Sequence, residues 1–178
     1  MARYGMAIDL RTCVGCAACV VACKVENKVD ERFSRDRVVQ RVSGEFPNLK
    51  LKIFSERCNH CENPPCVSNC PTGASHVGDG GIVLVNHDRC TGCKACVASC
   101  PYDARFINED GFAEKCTFCN HRVEDAMQPA CVSTCPTESM VFGDLDNPNS
   151  RISQTLASRE NSQRAPETGI GPKVFYLE

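Results

Sequence analysis

Sixteen of the 178 residues are cysteines, and their number and spacing are the feature of this sequence that could do chemistry. At this density cysteines, rather than a large apolar core, usually organise a fold. They form four groups of four, and none is left over. In chain order the groups are Cys13, Cys16, Cys19 and Cys23; Cys58, Cys61, Cys66 and Cys70; Cys90, Cys93, Cys96 and Cys100; and Cys116, Cys119, Cys131 and Cys135.

The first and third groups are an internal repeat, "CVGCAACVVACK" and "CTGCKACVASCP", which indicates one structural unit used more than once. Both have the spacing Cys-x2-Cys-x2-Cys-x3-Cys. In the bacterial ferredoxin run three of these thiolates hold one 4Fe-4S cube and the fourth reaches a neighbouring cube. Gly15 and Gly92 let the loop backbone approach a cube closely or adopt a positive φ. The spacing therefore predicts 4Fe-4S clusters.

The other two groups keep four ligands but add residues. Group two has two extra residues before Cys66, and group four has eleven residues between Cys119 and Cys131. A proline follows the fourth cysteine in groups two, three and four, where we expect it to end a short helical turn. Lys24 takes that place in group one. This group therefore lacks the proline that would end the helical turn, but it keeps all four cysteine ligands.

A structural zinc or disulfide module is the alternative of another class. Four-cysteine zinc sites usually have two Cys-x2-Cys pairs separated by a longer loop, and only group four approaches this pattern. Disulfide scaffolds belong to secreted chains, and "MARYGMAIDL" resembles neither a signal peptide nor a twin-arginine leader. Iron-sulfur clusters are the interpretation that two complete ferredoxin runs favour.

Spacing alone leaves open which groups share clusters. Residues 71–89, between groups two and three, have the strand-turn-strand pattern of a ferredoxin connection. This favours pairing groups two and three and, by elimination, groups one and four. The rival pairing, one with two and three with four, stays possible because only 15 residues separate groups three and four.

The elements that must position the cysteines are short. Strands are expected at "GMAIDL" (5–10), at "LKLKIF" (49–54) and within "GGIVLVNHDR" (80–89). "CVVACK" and "CVASCP" predict single helical turns. The polar tail predicts a helix near "SRISQTLASRE" and a final strand at "KVFYL". Together these elements predict an α+β fold.

Composition and motifs exclude several classes of function. The formal net charge of -2, with both signs interspersed, gives no footprint for nucleic acid. The longest apolar run, "CAACVVAC", is far too short to span a membrane. The motifs GxGxxG, HExxH, GxSxG and CxxCH are all missing. The sequence thus predicts electron transfer with no catalysis of its own.

Five segments resemble a known family: "AIDLRTCVGCAACVVACK", "CNHCENPPCV", "CTGCKACVASCPYDARF", "KCTFCNHR" and "PACVSTCPT". The family is the four-cluster 4Fe-4S electron-transfer subunit of the dimethyl sulfoxide reductase and polysulfide reductase family of molybdopterin oxidoreductases. The resemblance runs from about Met6 to "GPKVFYL". The chain lacks the long insertion between groups three and four and the C-terminal membrane anchor of some relatives. The resemblance implies two nested ferredoxin-like units with short strands, single-turn helices and long loops.

The resemblance also implies four 4Fe-4S clusters with crossed ligand sets. Cluster 1 takes Cys13, Cys16, Cys19 and Cys135; cluster 2 takes Cys23, Cys116, Cys119 and Cys131; cluster 3 takes Cys58, Cys61, Cys66 and Cys100; cluster 4 takes Cys70, Cys90, Cys93 and Cys96. The single compact chain, 1–178, then divides into unit A, from 1–35 plus 110–145, and unit B, from 55–108. The tail, 146–178, packs on a partner or on the core.

In that family cluster 1 faces a molybdopterin-containing catalytic subunit and cluster 4 faces an integral membrane subunit that binds quinone. The resemblance implies an electron relay between these partners in a polysulfide, thiosulfate or related sulfur or oxyanion reductase. A formate dehydrogenase or hydrogenase complex is the alternative. The implied location is the outer, periplasmic face of the cytoplasmic membrane, reached with a signal-bearing partner, and the cytoplasm is second.

Several charged residues beside the ligands could tune a cluster or contact a partner. The sequence favours ordinary surface side chains for the basic ones, which are Lys24, Lys94, Lys115, Arg89 and Arg122. His60 and His121 could donate to cluster sulfur or line a quinone route, but surface or loop-packing histidines are favoured there. His76 and His87 carry no specific signal.

Overall fold

Short strands and helices joined by long loops make up residues 2–178 in the computed structural model. The strands are β1 (Tyr4–Asp9), β2 (Asp36–Ser43), β3 (Lys50–Arg57), β4 (Ser75–Val77), β5 (Val83–Val85), β6 (Phe106–Ile107), β7 (Ala113–Glu114), β8 (Met140–Asp144), β9 (Asn161–Ser162) and β10 (Val174–Leu177). The α-helices are α1 (Ala18–Asn27), α2 (Pro65–Ser68), α3 (Ala95–Ala98), α4 (Asn120–Glu124), α5 (Ala130–Thr134) and α6 (Arg151–Ser158). The mixture of small sheets and few helices confirms the predicted α+β class.

A four-stranded sheet in the order β8-β1-β10-β9 forms the centre of the fold. β1 runs parallel to β10 and antiparallel to β8. Successive side chains of a strand point to opposite faces, so Met6 and Ile8 pack in the main core with Phe118, whereas Ala7 packs against Ile152 of α6. Both faces of β1 are covered, and Met6, Ala7 and Ile8 are therefore completely buried.

The C-terminal tail returns to the start of the chain. The helix and the strand predicted there are confirmed as α6 and β10. α6 begins after Ser150, whose Oγ accepts the N–H of Ser153 at 3.2 Å and so caps the helix. The N–H of Leu10 donates to the Leu177 carbonyl at 3.1 Å, which extends the contact between β1 and β10.

A long hairpin fills most of the cysteine-free insertion between groups one and two. β2 and β3 pair antiparallel over eight residues each, from Asp36 opposite Arg57 to Ser43 opposite Lys50. The strand predicted at "LKLKIF" overlaps the first half of β3, whereas β2 was not predicted. The inner end of the hairpin is buried and its tip is open, with Phe46 88 % exposed.

Two smaller hairpins connect the later cysteine groups. β4 pairs with β5 between groups two and three, with Ser75 opposite Val85, as the strand-turn-strand pattern predicted. β6 pairs with β7 between groups three and four, with Phe106 opposite Glu114. Each hairpin returns the chain to a cysteine loop within a few residues.

The helices after the first and third groups differ in length. The prediction of a single turn is right for α3, which ends at Ala98, but wrong for α1, which continues to Asn27. Lys24 stands where the third group has a proline, so nothing removes a backbone N–H or clashes with the preceding turn. Among residues 2–178, no helix has both the length and the apolar character that crossing a membrane requires.

The turn at Gly92 gives a test of the cysteine loops. Gly92 has φ +65°, and a Cβ added there would lie 2.2 Å from the Gly111 carbonyl oxygen. We expect Gly92→Ala to lower the free energy of unfolding by more than the ~1–2 kcal/mol of left-handed strain alone, because a backbone group must also move. Anaerobic thermal unfolding followed by circular dichroism measures the loss.

Gly111→Ala is the matched control. Gly111 has φ +85°, but no atom lies within 4 Å of the added Cβ. This substitution carries the conformational strain without the steric clash. Equal losses of stability in the two variants would contradict the steric argument.

Candidate metal centres

Four cysteines from opposite ends of the chain surround one cavity. They are Cys13, Cys16, Cys19 and Cys135. The first three follow β1, and Cys135 lies between α5 and β8. β8 pairs with β1, with Met140 opposite Ile8, so the central sheet brings Cys135 back beside the first cysteine loop. The N–H of Asp9 also donates to the Ser139 carbonyl at 2.7 Å, next to the same loop.

A second cavity is lined by four cysteines of groups two and three. They are Cys58, Cys61, Cys66 and Cys100. The first three are buried and the fourth is half-buried. Pro64 and Pro65 line the same cavity, so the detour that lengthens group two forms part of its wall. Cys100 arrives from the end of α3, which packs against α2.

A third cavity is lined by the remaining cysteines of these two groups. They are Cys70, Cys90, Cys93 and Cys96. Backbone N–H groups point at two of the sulfurs: Ser75 donates to Cys70 Sγ at 3.4 Å and Ala113 donates to Cys90 Sγ at 3.3 Å. Such donors stabilise negative charge on a thiolate and are one means by which a protein tunes an iron-sulfur site.

The last four cysteines are all buried and lie together. They are Cys23, Cys116, Cys119 and Cys131. Asn27 Nδ2 lies 3.6 Å from Cys23 Sγ and 3.9 Å from Cys119 Sγ, which links α1 to the fourth group. Burial, and then the charges of Cys23 and Cys131, raise the pKa of Cys116 well above its usual value. These sulfurs are therefore close neighbours.

Burial disfavours the thiolate form at several of these positions. It raises the pKa of Cys19, Cys23 and Cys61 to about 12. Burial also opposes ionisation of Cys135, but donors from Ser139 and Thr137 outweigh it and lower that pKa. Because the thiolate is the metal ligand, loading of the buried sites must displace protons, and metal binding is coupled to that cost.

Two buried arginines donate directly to cysteine sulfur. Arg57 Nη1 lies 2.9 Å from Cys131 Sγ, and Arg105 Nη2 lies 3.0 Å from Cys66 Sγ. Both arginines are almost completely buried. Neither arginine was singled out from the sequence. The available signals were that Arg57 directly precedes Cys58 and that Arg105 belongs to the segment "CPYDARF" of the family resemblance.

Lys115 and His60 lie in the interior, between the second and fourth groups. Lys115 is 2 % exposed and its Nζ donates to the carbonyls of Cys116 and Val83, so the expectation of a surface side chain was wrong.

His60 is fully buried and stacks on Phe118 with 3.7 Å between ring centroids. Its Nδ1 accepts the Val83 N–H at 3.1 Å, which leaves the ring proton on Nε2. Burial lowers the pKa of His60 well below its usual value, so the ring is neutral.

The other residues singled out beside the ligands lie nearer the surface. Lys24 Nζ donates to backbone carbonyls of the loop after α1, including that of Glu31 at 2.8 Å. Arg122 and His121 both contact Glu26, each at 2.8 Å. The remaining four are exposed or half-buried: Lys94, Arg89, His76 and His87. The first half of the eleven-residue stretch between Cys119 and Cys131 forms α4.

The chemistry of these sites fits 4Fe-4S clusters. All sixteen cysteines are free thiols. Residues 2–178 contain no group of three or more His, Cys, Asp or Glu side chains arranged to hold a single metal ion; the sulfurs instead surround cavities. Arg105 lines the second cavity, and its Nε and Nη1 are buried with no hydrogen-bond partner. Buried donors without partners are rare, and cluster sulfides are acceptors for them.

The two lysines that precede and follow a ligand give a matched test. Lys115→Met leaves the Cys116 and Val83 carbonyls without their donor, so we expect the free energy of unfolding to fall by about 1–3 kcal/mol. Lys94→Met changes an exposed side chain and should alter it by less than about 0.5 kcal/mol. Anaerobic denaturant titration and iron content measure both variants. A Lys115→Met variant with an unchanged free energy of unfolding would contradict this structural role of Lys115.

Two family models match the sequence, and both are described as a 4Fe-4S dicluster domain. One covers residues 49–145 and the other covers residues 12–75. Two dicluster domains account for four 4Fe-4S clusters. The sixteen cysteines supply four ligands for each cluster.

Curated relatives match almost the whole sequence. A subunit of the tetrathionate reductase of Salmonella typhimurium is 46 % identical and aligns with 98 % of this chain and 72 % of its own length. A polysulfide reductase polypeptide of Wolinella succinogenes is 42 % identical, over 98 % and 94 %. The arsenate respiratory reductase iron-sulfur subunit of a Shewanella species is 36 % identical, over 98 % and 96 %. This protein belongs to the four-cluster 4Fe-4S electron-transfer subunits of the dimethyl sulfoxide reductase and polysulfide reductase family.

Proposed function

We propose that the protein relays electrons between an integral membrane subunit that binds quinone and a molybdopterin-containing catalytic subunit. The ligand sets that we assign are Cys13, Cys16, Cys19 and Cys135 for cluster 1; Cys23, Cys116, Cys119 and Cys131 for cluster 2; Cys58, Cys61, Cys66 and Cys100 for cluster 3; and Cys70, Cys90, Cys93 and Cys96 for cluster 4. When bound, these clusters supply one-electron carriers whose potentials depend on their surroundings. The protein residues hold them, exclude water and set those surroundings.

The observation that carries this proposal is the graded exposure of the four sets. Cysteines 58, 61 and 66 are buried, and so is every cysteine assigned to cluster 2. Each of the other two sets contains one exposed cysteine, Cys16 and Cys93 respectively. Two shielded sites between two open ones are what a relay needs, because electrons enter and leave at the surface and cross the interior in short hops.

The contact between the inner sets supports their position as neighbours. His60 lies between Cys58 and Cys61, and Phe118 lies between Cys116 and Cys119. Their rings stack inside the core. The loops assigned to clusters 2 and 3 are therefore in direct contact, and clusters 1 and 4 become the two ends of the series.

We assign the ferredoxin-like units on the same basis. Unit A consists of 1–35 and 110–145, whose strands β1 and β8 are paired. Unit B consists of 55–108 and contains the β4–β5 hairpin. The tail, 146–178, packs on the core through β10. Unit B is thus inserted into unit A along the sequence.

The two ends differ in the partners that we assign to them. Cluster 1 meets the catalytic subunit, and Val14, 61 % exposed between two of its ligands, is an apolar contact for that surface. Cluster 4 meets the membrane subunit. The names of the relatives favour polysulfide or an oxyanion such as tetrathionate or arsenate as the substrate class of the complex. We assign the protein to the periplasmic face of the cytoplasmic membrane, which it reaches together with a signal-bearing catalytic subunit.

Anaerobic purification through a tag on this protein tests the proposed partners. The complex should contain about sixteen irons per copy of this protein, four for each cluster, together with a molybdopterin subunit and a membrane subunit. A formate dehydrogenase or hydrogenase catalytic subunit in its place would overturn the assigned complex. Recovery of the catalytic subunit in the cytoplasmic fraction would overturn the assigned location.

Exchange of one crossing ligand tests the ligand sets. Cys135→Ser should change or abolish the electron paramagnetic resonance signal of cluster 1, because Cys135 joins Cys13, Cys16 and Cys19 around one cavity. The cluster 2 signal should persist. Cys131→Ser is the matched control, since it lies one helical turn earlier and should affect cluster 2 instead. Loss of the same signal in both variants would contradict the crossed assignment.

A further inference from the structure

Two buried arginines occupy equivalent places beside the two inner cysteine sets. Arg57 donates to Cys131 and Arg105 donates to Cys66, and each of these cysteines is the third of its group. Each arginine also contacts a serine hydroxyl, Ser55 in one case and Ser75 in the other. A guanidinium is always charged, so both inner sites have a fixed cation at a ligand sulfur.

The two cations differ in their counter-charge. Asp36 Oδ2 lies 3.0 Å from Arg57 Nη2, and both side chains are at most 2 % exposed. The Ser55 hydroxyl also donates to Asp36, which fixes the carboxylate. Between residues 2 and 178, no carboxylate lies within ion-pair distance of Arg105. The charge of Arg57 is therefore largely cancelled, whereas the charge of Arg105 is not.

The carboxylate stands beside one of the two arginines. Arg57 contacts both Asp36 and Cys131, whereas Arg105 contacts Cys66 and the neutral hydroxyl of Ser75. The local charge therefore favours electrons at the Cys66 site more than at the Cys131 site.

The other buried cations do not reverse this difference. Lys115 Nζ donates to the Cys116 carbonyl and to the carbonyl of Val83, which lines the second cavity, so its charge acts on both inner sets. Lys173, on the side of Arg105, interacts most strongly with Glu62 and then with Cys61 and Cys58, so a carboxylate partly offsets its charge. The asymmetry between the inner sites is therefore produced mainly by Asp36 and Arg105.

We propose that Arg57, Asp36 and Arg105 set the order of the two inner potentials: the cluster held by Cys58, Cys61, Cys66 and Cys100 has the higher potential, and the Arg57–Asp36 pair keeps the cluster held by Cys23, Cys116, Cys119 and Cys131 lower. Reduction adds negative charge to a cluster, so an unpaired cation beside it raises the potential. The inference rests on the ligand sets assigned under the proposed function. Arg57 and Arg105 act through the ligand sulfurs as positioning and tuning residues.

Redox titration of the intact complex, followed by electron paramagnetic resonance, tests this order. Cys100→Ser and Cys23→Ser first identify the signals of the two inner clusters. In the unmodified complex the signal lost in Cys100→Ser should have the higher midpoint. Arg105→Gln should lower that midpoint by at least 59 mV, a tenfold change for one electron. Arg105→Lys keeps the charge and should restore most of the shift.

Asp36→Asn tests the other half of the proposal. This variant leaves the charge of Arg57 uncompensated. The midpoint potential of the cluster lost in Cys23→Ser should therefore rise by at least 59 mV, a tenfold change for one electron. The double variant Asp36→Asn, Arg57→Gln removes both charges and should return the midpoint close to its original value. Lys52→Gln, which removes one charge on the exposed part of β3, should move neither midpoint.

The outcomes separate this inference from the proposed function. Unchanged midpoints in both Arg105→Gln and Asp36→Asn, with four clusters present, would overturn the tuning role alone. A reversed order in the unmodified complex would overturn it as well. A shift of at least 59 mV in the inner cluster that the substitution is not expected to affect would overturn the ligand sets. Loss of iron from the unmodified complex would overturn the proposed function itself.

Discussion

Each ligand set that we propose takes one sulfur from a different cysteine group, and the rest of the structure depends on that constraint. Cys135 must meet Cys13, which lies more than a hundred residues earlier. The sheet achieves this, because β8 and β10 both pair with β1. Loop closure over such a distance costs entropy that grows only slowly with length, and the fully buried residues of β1 offset it.

Burial and charge are arranged together around these sites. Seven of the eight cysteines that we assign to the inner clusters are buried, where a thiolate without a partner is costly. The cations nearest to them are buried too: Arg57, Arg105 and Lys115. The outer sites rely more on hydroxyl and backbone donors, such as Ser139 at Cys135 and Ser75 at Cys70. Interior cations stabilise the buried sulfurs, while water and partners remain accessible to the exposed ones.

The sequence predicted the chemistry better than the supporting structure. The repeated spacing identified the cluster type, and polarity patterns located α6 and β10. β2 was not found because its alternation is weak, and its pairing with β3 is a long-range choice that no local pattern records. Lys115 was misplaced because adjacency to a cysteine says nothing about burial. The contacts of Arg57 and Arg105 join segments that are 74 and 39 residues apart, so only the fold brings them to sulfur.

The charged residues of the protein therefore serve two separate purposes. The formal net charge is only -2, and several charges on the surface form ion pairs, as Arg151 does with Glu138; such exposed pairs contribute little to stability. The buried charges are few, and those at the two proposed inner sites differ mainly in whether a carboxylate accompanies the arginine. A buried ion pair such as Arg57–Asp36 is weak evidence for stability. Its position beside Cys131 instead makes it a means of adjusting the charge at one site while leaving the other unchanged.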